Sequence, residues 1–146
     1  MSRVQQLTKV HHRIGALQIH HRDNGLLSLL RRPYARGYPT TSQLRRWRHQ
    51  GRSRMVRAKT FWGERMWVRL PDEVSISLRR FGYVEYELSA FFLRHLQAGQ
   101  TFIDVGAHIG YFSRLAAHCL GPTGRVYSFE PTPRTFALLD GNLQHL

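Results

Sequence analysis

The rhythm of apolar and polar positions changes near residue 60 of the 146-residue chain. Before that point, IGALQIHH and NGLLSLLRRPY are short apolar patches set between polar runs, and Gly25, Pro33, Gly37, Pro39 and Gly51 interrupt them. No helical or strand period is sustained, which predicts an irregular, weakly helical extension over residues 1–59. Beyond it the periods are clear. ERMWVRLP alternates Met66, Val68 and Leu70 with Arg65, Trp67 and Arg69, the pattern of a half-buried strand. VSISLRR alternates Val74, Ile76 and Leu78 with Ser75, Ser77 and Arg79, and the two runs are expected to pair as a hairpin across PDE. YVEYELSAFFLRHL reads as a helix with an apolar stripe of Leu88, Phe91, Phe92 and Leu96, and with Glu85 and Glu87 in its first turn.

The remaining pattern is strand, helix, strand, helix. Thr101–Val105 is a short apolar strand that runs into glycines. IGYFSRLAAHCL follows as a helix whose face is Phe112, Leu115, Ala116, Cys119 and Leu120, ended by Gly121 and Pro122. RVYSFEP is a second strand. TPRTFALLDGNLQHL opens a second helix with Thr132 as N-cap and Pro133 at its first position. Phe136, Leu139, Leu143 and Leu146 mark its buried face, and Gly141 weakens its interior by about 1 kcal/mol, enough to end it there. Strands alternating with helices imply an α/β fold with a parallel sheet.

Charge divides the chain at the same place. Residues 1–59 hold 14 Lys and Arg against one acid, Asp23, whereas residues 60–146 hold 8 of each sign. An arginine-rich arm suits nucleic acid or an anionic surface. No nucleic-acid-binding motif accompanies it, so a solvated extension is the preferred reading. The pairs His11–His12 and His20–His21 lack cysteine partners and zinc-type spacing, so they are assigned no metal. No run of about 18 apolar residues suggests a membrane span, and no apolar stretch suggests a secretory signal. The single cysteine, Cys119, excludes an intrachain disulfide and makes a reducing cytoplasm the expected location.

The candidate chemistry lies in TFIDVGAHIGYFS. In parallel sheets, ligands bind beyond the carboxyl ends of the strands. Gly106 and Gly110 stand there, and the amides at the following helix start point at whatever binds above. The dinucleotide fingerprint is G-x-G-x-x-G, whereas this turn is Gly106-Ala107-His108-Ile109-Gly110 and lacks the middle glycine. Asp104 stands two residues before the first glycine. An anion is a poor neighbour for a pyrophosphate and a good one for a cationic ligand such as S-adenosylmethionine. Glu130, 26 residues after Asp104, ends the second strand, where an acid can accept both ribose hydroxyls of either cofactor.

FIDVGAHIGYFSRLAAHCLGPTGRVYSFEPTPRTFALLDGNL resembles the FkbM family of S-adenosylmethionine-dependent methyltransferases. The family pattern D-V-G-A-N-I-G, a G-P-x-G-x-V turn, F-E-P-x-P and a downstream asparagine is met by Asp104-Val105-Gly106-Ala107, Ile109-Gly110, Gly121-Pro122, Gly124, Val126, Phe129-Glu130-Pro131, Pro133 and Asn142. His108 replaces the usual asparagine. It either donates a hydrogen bond as asparagine would or faces solvent at the helix start. The resemblance covers roughly residues 60–146 and implies a class I Rossmann-like methyltransferase fold. Residues 1–59 would then be a basic extension and residues 60–146 the N-terminal part of the domain, with hairpin, helix and two βα units. The cofactor-binding residues it implies are Asp104 for the methionine end, Gly106, Ala107, His108 and Gly110 along the turn, and Glu130 for the ribose. Phe112 and Phe129 are expected in the core, and Tyr111 in either pocket or core.

The implied reaction is methyl transfer to a hydroxyl oxygen of a small metabolite or glycan. In the family fold, Thr101–Val105 is a central strand of a larger sheet, so the chain is expected to be a fragment truncated after the second βα unit. It would then fold poorly alone, and a sharp cooperative melt as a monomer would contradict this. The sequence names no catalytic base. Two other functions remain open: nucleic-acid or anionic-surface binding through the basic arm, and an NAD-dependent oxidoreductase, which Asp104 and the missing glycine disfavour.

Overall fold

The computed structural model describes residues 5, 8, 9, 11, 12 and 39–144. The apolar patches over 14–34, His20–His21 and Leu146 lie outside the described residues. The chain divides into two compact units, Lys9–Val84 and Glu85–Leu146, the latter with Met1–Thr8.

The first unit holds helix α1 (Thr41–His49), strands β1 (Arg54–Lys59) and β2 (Arg65–Leu70), and helix α2 (Glu73–Phe81). The expectation of irregular chain up to residue 59 fails over 41–59. Thr40 begins α1 with a capping box: its hydroxyl accepts from the Gln43 amide at 3.3 Å, and the Gln43 side chain accepts from the Thr40 amide at 2.8 Å. Arg46, Arg48 and His49 lie in the last turn, where cations suit the helix dipole. Only Leu44 of this helix is buried, so its apolar period is too thin to read from sequence.

The hairpin also differs from expectation. β2 pairs antiparallel with β1, from Arg54 opposite Leu70 to Lys59 opposite Arg65. A boundary at residue 60 would part these two strands. VSISL is helical, not a strand. The Asp72 carboxylate caps α2 by accepting from the Ser75 amide at 2.8 Å, and Gly82 ends it at φ 79°. Five alternating residues satisfy a helical face as well, since Ser75 and Leu78 are buried one turn apart. The caps decide between them. Helix α2 covers the inner face of the hairpin, where Ala58, Met66, Val68 and Leu70 are buried. His11 is buried against the rings of Phe61 and Tyr83, at 4.9 and 5.6 Å.

The second unit follows the predicted order: α3 (Tyr86–His95), β3 (Thr101–Val105), α4 (Tyr111–Leu120), β4 (Arg125–Phe129) and α5 (Pro133–Leu143). β3 and β4 are parallel, with Asp104 beside Ser128 and Val105 beside Phe129. α4 packs on both strands and on α3, and Leu115, Ala116 and Leu120 are fully buried. α3 is rotated from the expected stripe: Ser89, Ala90, Phe92 and Leu93 are buried, while Leu88 and Phe91 are exposed. A hydrogen bond of 2.9 Å between the hydroxyls of Ser89 and Tyr111 sets that rotation, and Phe92 meets Phe102 and Phe112. α5 starts at Thr132 and Pro133 as expected and runs through Gly141 to Leu143.

One face of the strand pair is covered and the other is bare. Ile103, Val105, Tyr127 and Phe129 are 61, 81, 48 and 56% exposed. Phe129 is therefore not a core residue. The alternation of β4 turns it to the open face, while Val126 and Ser128 turn inward.

Candidate functional site

The turn after β3 is built by backbone bonds to the end of β4. The amides of Gly106 and Ala107 both donate to the Phe129 carbonyl, at 2.9 Å each. Gly106 has φ 81° and Gly110 φ 83°, a region that L side chains avoid. The two glycines differ in what surrounds them. A Cβ on Gly106 would meet nothing within 4 Å, so this glycine faces open space. A Cβ on Gly110 would stand 2.8 Å from Leu139 Cδ1 and 3.5 Å from Leu143 Cδ2. Gly110 thus serves the close approach of α5, and Gly106 leaves room above the strand ends.

His108 also has positive φ, at 51°. Asparagine and histidine are enriched in that region among residues other than glycine. Their exchange at this position is explained by the backbone conformation, which residue types alone do not reveal. The His108 amide donates to Glu130 Oε2 at 3.1 Å.

Glu130 bridges the two βα turns. Its Oε2 accepts from His108 and its Oε1 accepts from the Thr132 amide at 2.9 Å. These bonds to the charged form, led by the Thr132 amide, hold its carboxyl below the ordinary carboxylate range. A carboxylate has about four lone-pair sites, so both oxygens keep acceptor capacity for hydroxyl donors.

Asp104 faces α4. Its Oδ2 accepts from the Ser113 hydroxyl at 2.6 Å, and Ser113 in turn accepts from Ser128 at 2.8 Å. This chain of two hydroxyls fixes the orientation of the carboxylate from below. Ser113 and Ser128 were not singled out from sequence. Ser113 is in the first turn of α4, and its value emerges only when the helix lies over β3. Asn142, quoted from sequence without a role, is buried and donates to the Ile109 carbonyl at 2.8 Å. The buried Arg114 guanidinium donates to the Asn142 carbonyl. Together they pin the glycine turn to α5. Tyr111 is buried against α3 and so belongs to the core. Burial pushes the Cys119 thiol up to about 11, which keeps it protonated and unreactive at neutral pH.

The structure therefore gathers Gly106, Ala107, His108 and Glu130 at the carboxyl ends of two adjacent parallel strands. Asp104 stands on the same strand just below. The set carries two carboxylates and no Lys or Arg in the turn, and its Gly106, Ala107 and His108 amides are taken up by the Phe129 carbonyl and Glu130. Among the described residues no helix is long and apolar enough to cross a membrane.

No family model matches the chain, and no solved structure matches it. It is similar to a curated protein, the 31-O-demethyl-FK506 methyltransferase FkbM of Streptomyces tacrolimicus, with 39% identity over 83 residues. The match takes in 51% of this chain and 32% of that protein, so the chain spans about a third of the relative's length. The likeness supports a relationship to the methyltransferases.

Proposed function

We propose that this chain carries the cofactor-binding part of an S-adenosylmethionine-dependent methyltransferase of FkbM type, with a class I Rossmann-like architecture. The observation that carries the reading is the placement of Asp104 near the end of β3 and Glu130 just past the end of the neighbouring parallel strand β4, with the open turn at Gly106 nearby. The fit is one of space and charge. Gly106 leaves open space above the strand ends, and two carboxylates with no Lys or Arg in the turn suit a sulfonium and ammonium better than a pyrophosphate. Asp104, oriented by Ser113, would hold the methionine end, Glu130 would accept from the ribose hydroxyls, and the His108 and Ala107 backbone would line the approach. When bound, the cofactor supplies an activated methyl group. The acceptor, on this reading, is a hydroxyl oxygen of a small metabolite or glycan, and the protein's part is largely positioning.

The bare face supports a second element of the proposal, that the sheet is completed by further strands and helices of a larger domain. Ile103, Val105, Tyr127 and Phe129 form an apolar surface of the kind a layered α/β fold covers. A cytoplasmic location belongs to the same reading. Calorimetric titration with S-adenosylmethionine and with NAD tests it. Saturable binding of the first, lost in Glu130→Ala, is expected. Tighter binding of NAD would overturn it.

A further inference from the structure

The outer face of the β1–β2 hairpin is unlike the rest of the molecule. By strand alternation and register it presents Met55 opposite Arg69, Arg57 opposite Trp67, and Lys59 opposite Arg65. Arg57, Lys59 and Arg65 are exposed, Arg69 is half-buried, and Trp67 is 40% exposed. The Arg57 guanidinium lies 4.6 Å from the Trp67 ring centre. Among the described residues no acid lies on this face. Glu64 is in the turn joining the strands, Asp72 caps α2, and Glu73 faces Arg48 at 3.7 Å. Beyond Arg69 the face meets a cavity of about 620 Å³, whose walls include Trp47, Arg48 and Arg52 together with the acids Asp72 and Glu73.

This arrangement weakens the hairpin it sits on. Lys59 and Arg65 are like charges directly opposite each other, which destabilises an antiparallel pair. A polyanion relieves that repulsion. The exposed indole among the cations narrows its kind. Phosphates alone need no ring, whereas an unpaired base stacks on one. A duplex hides its base faces. A lipid surface calls for a broad apolar face, and here only Met55 and Trp67 are apolar.

We propose that the outer face of the β1–β2 hairpin binds single-stranded nucleic acid, with bases stacked on Trp67 and phosphates held by Arg57, Lys59, Arg65 and Arg69. A base takes the place of Arg57 on the ring, and the guanidinium turns to the backbone. All five residues lie within Lys9–Val84, so the proposal is independent of the cofactor reading.

The test is fluorescence anisotropy of a labelled oligothymidylate with the whole chain, across a salt series, after circular dichroism shows that each variant keeps its helix content. Trp67→Ala is expected to weaken binding about tenfold, with little change in salt slope. The triple substitution R57Q/K59Q/R65Q is expected to lower the slope of log affinity against log salt by about 2, at roughly 0.7 for each cation removed. A charge-matched triple off the hairpin, R45Q/R46Q/R125Q, is expected to lose much less. Equal losses from the two triples would reduce the effect to net charge and overturn the proposal. So would an unchanged affinity in Trp67→Ala, tighter binding to a duplex, or Trp67-dependent capture by anionic phosphatidylglycerol vesicles without oligonucleotide binding.

Discussion

Alanine at Gly106 and at Gly110 should act differently, although the two positions share a backbone conformation. Their φ values are 81° and 83°, so each alanine meets the left-handed penalty of about 1–2 kcal/mol. Loss of glycine's freedom in the unfolded chain offsets about 0.4–1 kcal/mol of that. For Gly106→Ala nothing else is added, because the new methyl meets open space. The net loss is about 1 kcal/mol, or roughly a fivefold rise in the opening equilibrium. For Gly110→Ala the methyl is forced to 2.8 Å from Leu139 and 3.5 Å from Leu143. Overpacking of this kind adds about 1–3 kcal/mol. The total of about 2–4 kcal/mol raises opening roughly 30- to 800-fold. Cys119 reports on it. The thiol is buried in α4 with its pKa pushed up to about 11, so an aromatic disulfide reagent reaches it through opening of the unit. The measurement is the rate of thiol modification under native conditions, relative to the urea-unfolded chain. The reasoning is refuted if the two alanine variants react at the same rate. It is also refuted if Cys119 of the unsubstituted chain reacts as fast as an unfolded thiol.

Three further outcomes are expected. His108→Asn should leave the thiol rate unchanged, and His108→Val should raise it about tenfold or more, because a β-branched residue is least tolerated at φ 51°. Ser113→Ala should weaken S-adenosylmethionine binding about tenfold in calorimetry, with Ser113→Thr retaining it, since a charge-assisted bond to Asp104 is worth about 1.5–3 kcal/mol. Glu130 has its carboxyl held below its ordinary value of 4.5, chiefly by the Thr132 amide. Its contribution to stability is therefore full above 4.5 and lost as pH falls through the lower folded value. The stability difference between the unsubstituted chain and Glu130→Gln, measured in urea across pH, should be constant above 4.5 and shrink below it.

The β-α-β-α order was legible in the sequence because each element carries both a period and a stop. The α4 face from Leu115 to Leu120 ends at Gly121, and α5 begins at Thr132 and Pro133. Three features were not legible from periodicity. VSISL is short enough to satisfy two periods, and the Asp72 cap settles it. α1 buries little beyond Leu44, so its local sign is the Thr40–Gln43 box, set beside a run of arginines. Phe129 reads as core in any strand pattern, yet its burial depends on what lies across the sheet. At the site, Asp104, Gly106 and Glu130 were visible as residue types at strand ends. Ser113, Ser128 and the clamp of Asn142 on Ile109 were not, because each depends on a helix lying over a strand or turn.

The two units also separate by electrostatics, and that makes their proposed activities distinguishable in one preparation. Between residues 39 and 84 eleven Lys and Arg stand against Glu64, Asp72 and Glu73, while the glycine turn of the other unit holds two carboxylates, Glu130 on the backbone amides of His108 and Thr132 and Asp104 on the Ser113 hydroxyl. Phosphate binding to the hairpin releases counterions, so its affinity must fall steeply with salt. The proposed recognition of a small cation by Asp104 and Glu130 engages few charges, so its salt dependence should be shallower. Salt that removes oligonucleotide from the hairpin should therefore leave S-adenosylmethionine binding largely intact, and Trp67→Ala should affect only the first. Parallel loss of both would mean that a single charge-driven association underlies them, and the assignment of separate ligands to the two units would then fall.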